Sequence, residues 1–455
     1  MTAREAALIT LSACEKQGAW SDGFLKKTIK EAGLDRRDAA LATRICLGVL
    51  QNEMLLDFYL GHFSTMKVEK MDLRVHNNLR VGIYQMAFLS RIPHSAAVNE
   101  AVELTRKYSK NPRAAGMVNG ILRNVSRNID NLPLIERKDP VHYLSVRYSH
   151  PVWMVREFYS LLGLDETEDL LRLNNSEPKI YAQVNTLKTD TASLAAALVR
   201  EGVEAEAHPW LPGCLILSET GDMEELSAFK EGLFYIQDPA ARLAVTAAGL
   251  KPGMRVLDAC AAPGGKTFAA AMDMRDQGVI ISCDVHAHKK KLIEQGAGRL
   301  GLTCVKASVM DAKKHGKALE GSFDAVLADV PCSGLGVIRK KPEIRYKSEK
   351  ELTDLPMVQL AILENVSSYV KPGGVLIYAT CTLLRRENEE VADAFLKGHP
   401  QFRPEGFSLP GPIEEVAEGR ITLWPQRCGT DGFFLSKFRR APESGERTDR
   451  GGETV

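Results

Sequence analysis

The sequence predicts a protein of the α/β class, in which an open, doubly wound, Rossmann-like sheet follows an all-helical domain and a small α+β segment. From residue 256 onward, short runs rich in valine, isoleucine and leucine alternate with helical segments, as in a parallel sheet covered on both faces. From residue 1 to about 130, apolar residues recur with helical spacing. We therefore expect domains over 1–130, 131–235 and 236–441, followed by a disordered tail over 442–455.

The composition bounds the classes of function. Of 455 residues, 44% are hydrophobic and 26% are charged, which is ordinary for a globular protein of two or three domains. The 59 basic and 58 acidic side chains create no overall positive field, so a nucleic-acid surface requires local segregation of charge. Nine scattered cysteines without a CxxC pair, and a beginning without a secretory segment, predict a cytoplasmic protein with free thiols and no metal site. No apolar run approaches the roughly 20 residues that span a bilayer.

The N-terminal third contains several amphipathic helices. Apolar residues between 41 and 63 lie on one face of a helix that Asp35 is suited to cap. A second helix follows Ser95, and a third begins at Asn111 and Pro112, which form an N-cap and first-turn pair. These segments predict a compact all-helical domain.

The helical domain has a pair of spaced glycines and a set of basic side chains that suggest contacts with a neighbouring helix and with RNA. Gly116 and Gly120, four residues apart, predict close approach of a neighbouring helix. The basic side chains are explained either by solvated helix faces, which is the ordinary interpretation, or by an RNA-docking face. They are Arg36, Arg37, Arg44, Arg106, Lys107, Lys110, Arg113 and Arg123.

The middle of the chain changes character. Residues 131–180 contain an aromatic-rich helical pattern that Ser149, His150 and Pro151 interrupt, which indicates linker helices. Between 180 and about 232, a strand, a helix and a second strand predict a small α+β unit lying on the main sheet. Its neighbourhood offers candidates for polynucleotide contact, although structural roles are the more ordinary interpretation for each: Arg147, Trp153 and Lys188.

The stretch LDACAAPGGKT, residues 257–267, is typical of a strand, a tight loop and the start of a helix. Gly264 and Gly265 allow a ligand to approach the main chain closely. The loop is neither GxGxxG nor GxxxxGK[ST], so the sequence does not support a dinucleotide site or a phosphate-binding P-loop. It favours another nucleotide-like ligand over an ordinary turn.

Acidic residues follow successive strands of the predicted sheet. Because ligands bind beyond the carboxyl ends of such strands, Asp284 is placed to hold a ribose diol and Asp311 to accept from an adenine amino group. Asp258 and Asp329 end two further strands. Any one of these acids is equally well a cap or turn residue. Without a phosphate cradle, the set favours S-adenosylmethionine as the ligand.

Two cysteines follow strands that should be neighbours in the sheet. Cys332 lies in ADVPCSGLG and Cys381 in YATCTLL. One isolated cysteine is usually a small buried apolar residue, but two at adjacent strand ends favour chemistry. Addition of a thiolate to carbon-6 of cytosine makes carbon-5 nucleophilic towards a sulfonium methyl group, and a second group must then remove the carbon-5 proton.

Four motifs, in order over about 180 residues, resemble those of the NOL1/NOP2/Sun family of RNA cytosine-5 methyltransferases: LDACAAPGGKT, LADVPCSGLGVIRKKPEI, ATCTLLRRENEE and GTDGFF. The segments IPHSAAVNEAVELTRKY and GMVNGILRN resemble the NusB antitermination domain. Together the resemblance covers nearly the whole chain. It implies an RNA-binding NusB-like domain, a small RNA-binding subdomain, a Rossmann-like S-adenosylmethionine-dependent methyltransferase domain, and 16S rRNA as the substrate.

The resemblance also implies roles for single residues. Cys381 is then the nucleophile, and Cys332 assists proton removal and product release; spacing alone does not give this order. Asp329 lies between cofactor and target base and bonds the N3 and N4 edge of the cytosine, while Asp284 holds the ribose and Asp311 the adenine. The cofactor pocket is further lined by Cys260, Ala261, Ala262, Pro263, Gly264, Gly265 and Lys266. Val330, Ala379 and the absence of a proline in LLRREN depart from the family pattern beside the chemistry.

Attack on carbon-6 requires unpaired RNA or a flipped nucleotide. Residues 338–350 hold six basic side chains against two acids, which favours contact with the RNA backbone over a solvated loop, and Tyr346 is a candidate for stacking on a base. We expect a monomer without a metal ion or a membrane partner. Two alternatives remain, namely a tRNA cytosine-5 methyltransferase and a non-catalytic NusB-like RNA-binding or assembly factor; the intact cysteine pair argues against the second.

Overall fold

A computed structural model describes residues 1–442 of the chain. The predicted tail, 442–455, lies outside the described residues except for its first position. The chain divides into two compact units: residues 1–177 with 338–349, and residues 178–337 with 350 onward. Over residues 1–442, no helix combines the length and apolar character needed to cross a bilayer.

The first unit is helical. Asp35 accepts a hydrogen bond from the backbone amide of Asp38 at the start of the third helix, which confirms the predicted cap. That helix has a non-helical residue at Asn52, whose side chain donates to the carbonyl of Gly48 over 2.8 Å. The helices are α1 (Ala3–Gln17), α2 (Ser21–Ala32), α3 (Arg36–Phe63), α4 (Leu73–Phe88), α5 (His94–Tyr108), α6 (Ala114–Arg127), α7 (Pro140–Tyr148) and α8 (Val152–Asn174).

Two helix starts differ slightly from the prediction. α5 begins at His94, one residue before Ser95. α6 begins at Ala114, because the Asn111 side chain accepts from the amide of Arg113 and so closes the turn before the helix. A side chain that bonds its own backbone two residues on favours a turn as readily as a helix cap.

The core of this unit lies between α3, α4 and α6. Close packing depends on glycines other than those predicted: a Cβ atom at Gly48 would lie 2.0 Å from the Tyr84 ring, and one at Gly82 would lie 2.8 Å from Leu122. Around Gly116 and Gly120, in contrast, a Cβ atom would meet nothing within 4 Å. The predicted close approach at these two glycines is therefore wrong, because their face of α6 is not the packed one.

The segment 338–349 belongs to the first unit, although in the chain it follows the Cys332 loop of the other unit. Arg345 in this segment is fully buried. Its guanidinium donates to carbonyl oxygens at the ends of two helices and at the bend of a third, over 3.2–3.4 Å, and to the Asn175 side chain over 2.6 Å. The carbonyls are those of Gln51, Tyr148, Ser149 and Asn174.

These contacts correct part of the RNA prediction for residues 338–350. Arg339 and Arg345 are buried, so they are not available to an RNA backbone. Tyr346 is only partly exposed, and its hydroxyl donates to the Leu50 carbonyl over 2.7 Å, which holds the ring against α3 instead of leaving it free to stack. Helix C-termini carry unpaired carbonyls and partial negative charge, and a guanidinium satisfies several of them at once.

The second unit begins with a small antiparallel sheet in the order β2-β3-β1-β4. The predicted α+β unit is therefore present. Lys188 donates to the carbonyls of Glu231 and Arg299, which gives it a structural role. The elements are β1 (Ile180–Val184), α9 (Thr191–Arg200), β2 (Glu204–Ala207), β3 (Cys214–Ser218), α10 (Ser227–Lys230) and β4 (Phe234–Ile236).

The remainder of this unit alternates helices and strands. Its elements are α11 (Pro239–Ala248), β5 (Arg255–Asp258), α12 (Gly265–Asp273), β6 (Val279–Asp284), α13 (Ala287–Leu300), β7 (Val305–Val309), β8 (Phe323–Asp329), α14 (Leu355–Ser367), β9 (Val370–Thr380), α15 (Glu389–Gly398), β10 (Phe402–Pro404), β11 (Phe407–Leu409), β12 (Glu414–Val416), β13 (Arg420–Leu423), α16 (Pro425–Cys428) and β14 (Phe433–Arg440). The prediction did not include the short strands β10 to β13.

The main sheet has the order β10-β14-β9-β8-β5-β6-β7, with β13 paired to β14. β7, β6, β5, β8 and β9 run parallel, and β14 is antiparallel to β9. Alternate strand residues enter two separate cores: Val256 packs with α11 and α12 on one face, whereas Leu257 packs with α14 and α15 on the other. This arrangement confirms the doubly wound α/β class and puts the switch in strand order between β5 and β8.

Candidate active site

The loop between β5 and α12 carries the predicted cofactor motif. The amide of Ala261 donates to the Cys283 carbonyl over 2.7 Å, which ties the loop to β6. The Ala262–Pro263 peptide bond is cis, and Gly264 has a φ of 118°, a conformation that residues with a Cβ rarely adopt. α12 begins at Gly265, so the motif has the predicted order of strand, loop and helix.

Asp258 is fully buried at the end of β5. Its Oδ2 accepts from the Thr267 hydroxyl over 2.7 Å, and that hydroxyl lies 2.9 Å from the Ser282 hydroxyl. Burial raises the pKa of this carboxyl group to about 7, although the bond from Thr267 acts in the opposite direction. Asp258 therefore joins β5, α12 and β6 from inside the unit.

Asp284 is the last residue of β6, and Asp311 lies two residues beyond the end of β7. The register pairs Asp284 with Val309, so the two strand ends lie at the same edge. Asp284 is largely buried and accepts from the amide of His286 over 3.0 Å, whereas Asp311 accepts from the amide of Lys313 over 3.0 Å. The backbone bond of each acid uses Oδ1, and Oδ2 of Asp284 lies 3.5 Å from the Nζ atom of Lys289.

The two predicted cysteines meet at the same edge of the sheet, after β8 and β9. β8 and β9 pair in parallel with Asp329 opposite Ala379, and the Sγ atoms of Cys332 and Cys381 are 3.3 Å apart. The hydrogen bond from Cys332 lowers the pKa of Cys381, and this effect outweighs burial and the carboxylate of Asp329. The same bond, together with burial, raises the pKa of Cys332 well above its usual value. The pair of shifts therefore favours the thiolate form at Cys381 and the thiol form at Cys332.

Lys266 links the cofactor loop to the cysteines. Its Nζ is 2.6 Å from Oδ2 of Asp329 and 5.1 Å from the centre of the Phe433 ring, which belongs to the GTDGFF motif. Burial opposes protonation of Lys266, but Asp329 outweighs it and the pKa is raised. The ammonium group also contributes to the lowered pKa of Cys381. The four sequence motifs that carried the family resemblance thus meet around one edge of the sheet.

A buried polar group that the sequence reasoning missed lies behind the cysteines. Ser333 and Thr382, which directly follow the two cysteines, have hydroxyl oxygens 2.6 Å apart. The fully buried Glu387 accepts from the amide of Ser333 over 2.9 Å and from the side chain of Gln359 over 2.8 Å. Its only sequence signal was an acid within RRENEE, close after Cys381.

Other thiols near the site are less acidic. Burial raises the pKa of Cys283 to about 12, and burial with the neighbouring carboxylates also raises the pKa of Cys260. Cys260 therefore contributes packing rather than a nucleophile to the loop. Within residues 1–442, no group of three or more histidine, cysteine, aspartate or glutamate side chains is arranged to hold a metal ion.

The geometry suits nucleophilic addition by one sulfur and proton transfer by the second. A thiolate is a strong nucleophile, and the adjacent thiol can give or take one proton. The carboxylates at the ends of β6 and β7, beside a glycine-rich loop, suit a nucleoside without phosphates. The predicted reaction and binding groups occupy adjoining strand ends of one sheet.

Comparison with known proteins agrees with this geometry. Residues 245–439 match the family described as 16S rRNA methyltransferase RsmB/F, residues 1–127 match the NusB family, and residues 150–224 match the ferredoxin-like domain of RsmF/B-like methyltransferases. The probable ribosomal RNA small subunit methyltransferase B of Bacillus subtilis is 39% identical, covering 96% of this chain and 98% of its own. Its counterpart in Synechocystis is 31% identical, covering 97% and 100%. The crystal structure of PH0851 covers 97% of this chain and 99% of its own, with a TM-score of 0.81 and 27% identity.

Proposed function

Since the chain belongs to the ribosomal RNA small subunit methyltransferase B family and is an RNA methyltransferase, we propose that it methylates carbon-5 of a cytosine in 16S rRNA through a covalent cysteine intermediate. The observation that carries this proposal is the 3.3 Å approach of the Cys332 and Cys381 sulfurs beside the Lys266–Asp329 pair. Methylation of a ring nitrogen or a ribose oxygen requires no thiolate, whereas carbon-5 of cytosine does.

The residues of the binding edge fit S-adenosylmethionine. Asp284 is suited to the ribose hydroxyls and Asp311 to the adenine amino group, with the loop from Cys260 to Lys266 along the remaining length. Val285 and Val309 are 53% and 49% exposed beside these acids, which suits contact with an apolar ring. When bound, the cofactor supplies an electrophilic methyl group at its sulfonium centre.

In the proposed mechanism, the Cys381 thiolate forms a bond to carbon-6, and the electrons of the 5,6 double bond make carbon-5 nucleophilic. Asp329 recognises the N3 and N4 edge of the cytosine by accepting a hydrogen bond from the N4 amino group, and Lys266 holds its carboxylate in position. Once carbon-5 carries the methyl group, Cys332 releases its own proton to water, and the resulting thiolate accepts the carbon-5 proton. The electrons of that C–H bond restore the double bond and expel the Cys381 thiolate.

The remaining parts of the proposal concern the setting of this reaction. The helical domain over 1–130 and the segment over 131–235 present the RNA to the catalytic domain over 236–441. Similarity to the NusB family supports RNA binding by the first of these. We further propose a cytoplasmic monomer that requires no metal ion.

Mapping of 5-methylcytosine in rRNA and tRNA from a strain lacking this gene tests the substrate. We expect one 16S rRNA position to lose its methyl group and to regain it when the gene is restored. Loss confined to a tRNA would identify a tRNA methyltransferase instead. An unchanged map in both RNAs would favour the non-catalytic assembly factor.

Two variants test the order of the cysteines. Cys381→Ala should abolish methyl transfer while retaining binding of S-adenosylmethionine. Cys332→Ala should accumulate a covalent protein–RNA adduct on a denaturing gel. Activity in Cys381→Ala, or an adduct that forms in Cys381→Ala rather than in Cys332→Ala, would reverse the assignment.

A further inference from the structure

We propose that Glu387 is a positioning residue that holds the Cys332 and Cys381 loops in the register required for methyl transfer. The inference rests on the proposed function for its consequence, but its structural basis is independent of the substrate. Glu387 contacts no reacting atom; it acts through the residues that follow each cysteine.

The contacts of the carboxylate divide between the two loops. Oε2 accepts from the backbone amide of Ser333, directly after Cys332, over 2.9 Å. Oε1 lies 3.4 Å from the hydroxyl of Thr382, directly after Cys381. Because the Ser333 and Thr382 hydroxyls are themselves 2.6 Å apart, the three residues form a closed triangle, in which Ser333 contributes its backbone amide as well as its hydroxyl.

Further bonds fix the position of Glu387 itself. Gln359 of α14 donates to Oε2 over 2.8 Å and to the Pro331 carbonyl over 3.1 Å, so it braces the same loop from the other side. The Tyr378 hydroxyl donates to the backbone carbonyl of Glu387 over 2.5 Å. Glu387 is therefore held in place by β9 and α14, independently of its contacts with the two cysteine loops.

The cysteines need such a link because they are 49 residues apart in the chain and end different strands. Beyond Asp329 and Ala379 the sheet register no longer fixes them. Two backbone bonds join the segments on either side of Cys332: the Val330 amide donates to the Ala379 carbonyl over 3.1 Å, and the Gly336 amide donates to the Cys381 carbonyl over 2.9 Å. The Glu387 triangle adds an attachment at the residues that directly follow the two cysteines.

The negative charge of Glu387 has a consequence of its own. A fully buried carboxylate is unfavourable unless donors surround it. Glutamine has the same shape without the charge, so the use of glutamate at this position calls for a physical reason. Its field helps to raise the pKa of Cys332, which favours retention of the proton on that sulfur. Geometry and charge thus act together on the cysteine pair.

The test compares Glu387→Ala and Glu387→Gln with Glu390→Ala, in which an exposed acid of the same segment is removed. Diamide, which takes two electrons from a thiol pair, reports on the proximity of Cys332 and Cys381 by the rate of disulfide formation. Peptide mass spectrometry identifies the pair. Methyl transfer to 16S rRNA is measured in parallel under single-turnover conditions, with the S-adenosylmethionine dissociation constant as a separate readout.

We expect Glu387→Ala to slow disulfide formation at least tenfold and methyl transfer by roughly 10²-fold, the loss typical of a displacement of about 1 Å, with unchanged cofactor affinity. Glutamine can accept from Ser333 and donate to Thr382, so Glu387→Gln should form the disulfide at the wild-type rate and lose only a few-fold in methyl transfer. Glu390→Ala should behave as the wild type in both assays.

The proposal is overturned if Glu387→Ala forms the disulfide and transfers methyl groups within threefold of the wild type. If Glu387→Ala does not fold, Glu387→Asp decides: its shorter side chain cannot reach both loops, so wild-type disulfide formation in this variant would overturn the proposal. A wild-type protein that methylates no 16S rRNA would refute the proposed function alone, because the disulfide assay needs no substrate.

Discussion

The hydrogen bond between the two sulfurs should control the reactivity of Cys381 in the free protein. The Sγ atoms of Cys332 and Cys381 are 3.3 Å apart, and the hydrogen bond between them is the largest contribution to the lowered pKa of Cys381. Replacement of Cys332 with alanine removes this bond, so that burial and the carboxylates of Asp329 and Asp431 are opposed by Lys266 without it. The pKa of Cys381 should therefore rise.

The size of the change follows from the bond. A hydrogen bond to a charged group contributes about 1.5–3 kcal/mol, and because a thiol is a weak donor the lower value applies. Since one pKa unit corresponds to about 1.4 kcal/mol, Cys332→Ala should raise the pKa of Cys381 by about one unit. At a pH below both pKa values, the thiolate fraction should fall about tenfold, and it should recover as the pH rises through the new pKa.

The rate of alkylation of Cys381 by iodoacetamide as a function of pH measures this shift. Peptide-resolved mass spectrometry separates Cys381 from the other thiols, of which Cys214 and Cys283 have pKa values raised by burial to about 12 and react slowly. Cys332→Ser keeps a donor at the same place and should show a smaller shift than Cys332→Ala. Cys428→Ala, in which a thiol outside the pair is removed, serves as the matched control. An alkylation profile of Cys332→Ala that coincides with the wild type, or moves to lower pH, would refute the reasoning.

Three other predictions concern charged groups around the fold. Lys266→Met should raise the pKa of Cys381 in the same alkylation assay, because the ammonium group is lost while Asp329 stays; an unchanged alkylation profile would contradict this. The variant should also lower the free energy of unfolding in urea by about 2 kcal/mol, a moderate loss because the unpaired Asp329 side chain is 28% exposed. The pKa of Asp258 is about 7 in the folded protein against 3.8 for an ordinary aspartate, so the folded protein binds this proton more tightly than the unfolded chain. The protonated group therefore contributes on the order of 4 kcal/mol to the free energy of unfolding below pH 4, and this contribution is lost as the pH rises to about 7. Thermal unfolding of Asp258→Asn should lack that part of the pH dependence, and a slope equal to the wild type would contradict it. Arg345→Met should destabilise the first unit by roughly 3 kcal/mol, because several carbonyls lose their donor, whereas the exposed Lys341→Met should change stability little in the same urea titration.

Strand ends were the most predictable part of the site. Parallel strands place their carboxyl ends at one edge, so Asp284, Asp311 and the two cysteines could be grouped without knowledge of any contact. The same rule does not say which way a side chain at the strand end points. Asp258 ends β5 as Asp284 ends β6, yet it is fully buried against Thr267 instead of facing the ligand edge.

Charge and glycine content were poorer guides. The basic residues of 338–350 suggested an RNA contact, but the guanidinium of Arg345 lies among helix carbonyls, and composition does not distinguish a phosphate from a ring of carbonyl oxygens as the acceptor. Gly116 and Gly120 have the spacing of a packed helix face, whereas Gly48 and Gly82 make the close contacts. Which face of a helix packs depends on its neighbours, and these are set by the tertiary structure.

Two cysteines at neighbouring strand ends are chemically equivalent in the sequence, so their roles first came from family resemblance alone. Their surroundings break this symmetry. Lys266 is among the main groups that lower the pKa of Cys381, and Glu387 is among the main groups that raise the pKa of Cys332. Both fields move the shared proton towards Cys332. The electrostatics therefore favour Cys381 as the attacking sulfur on grounds that are independent of the resemblance, and Cys332 as the sulfur that handles the proton.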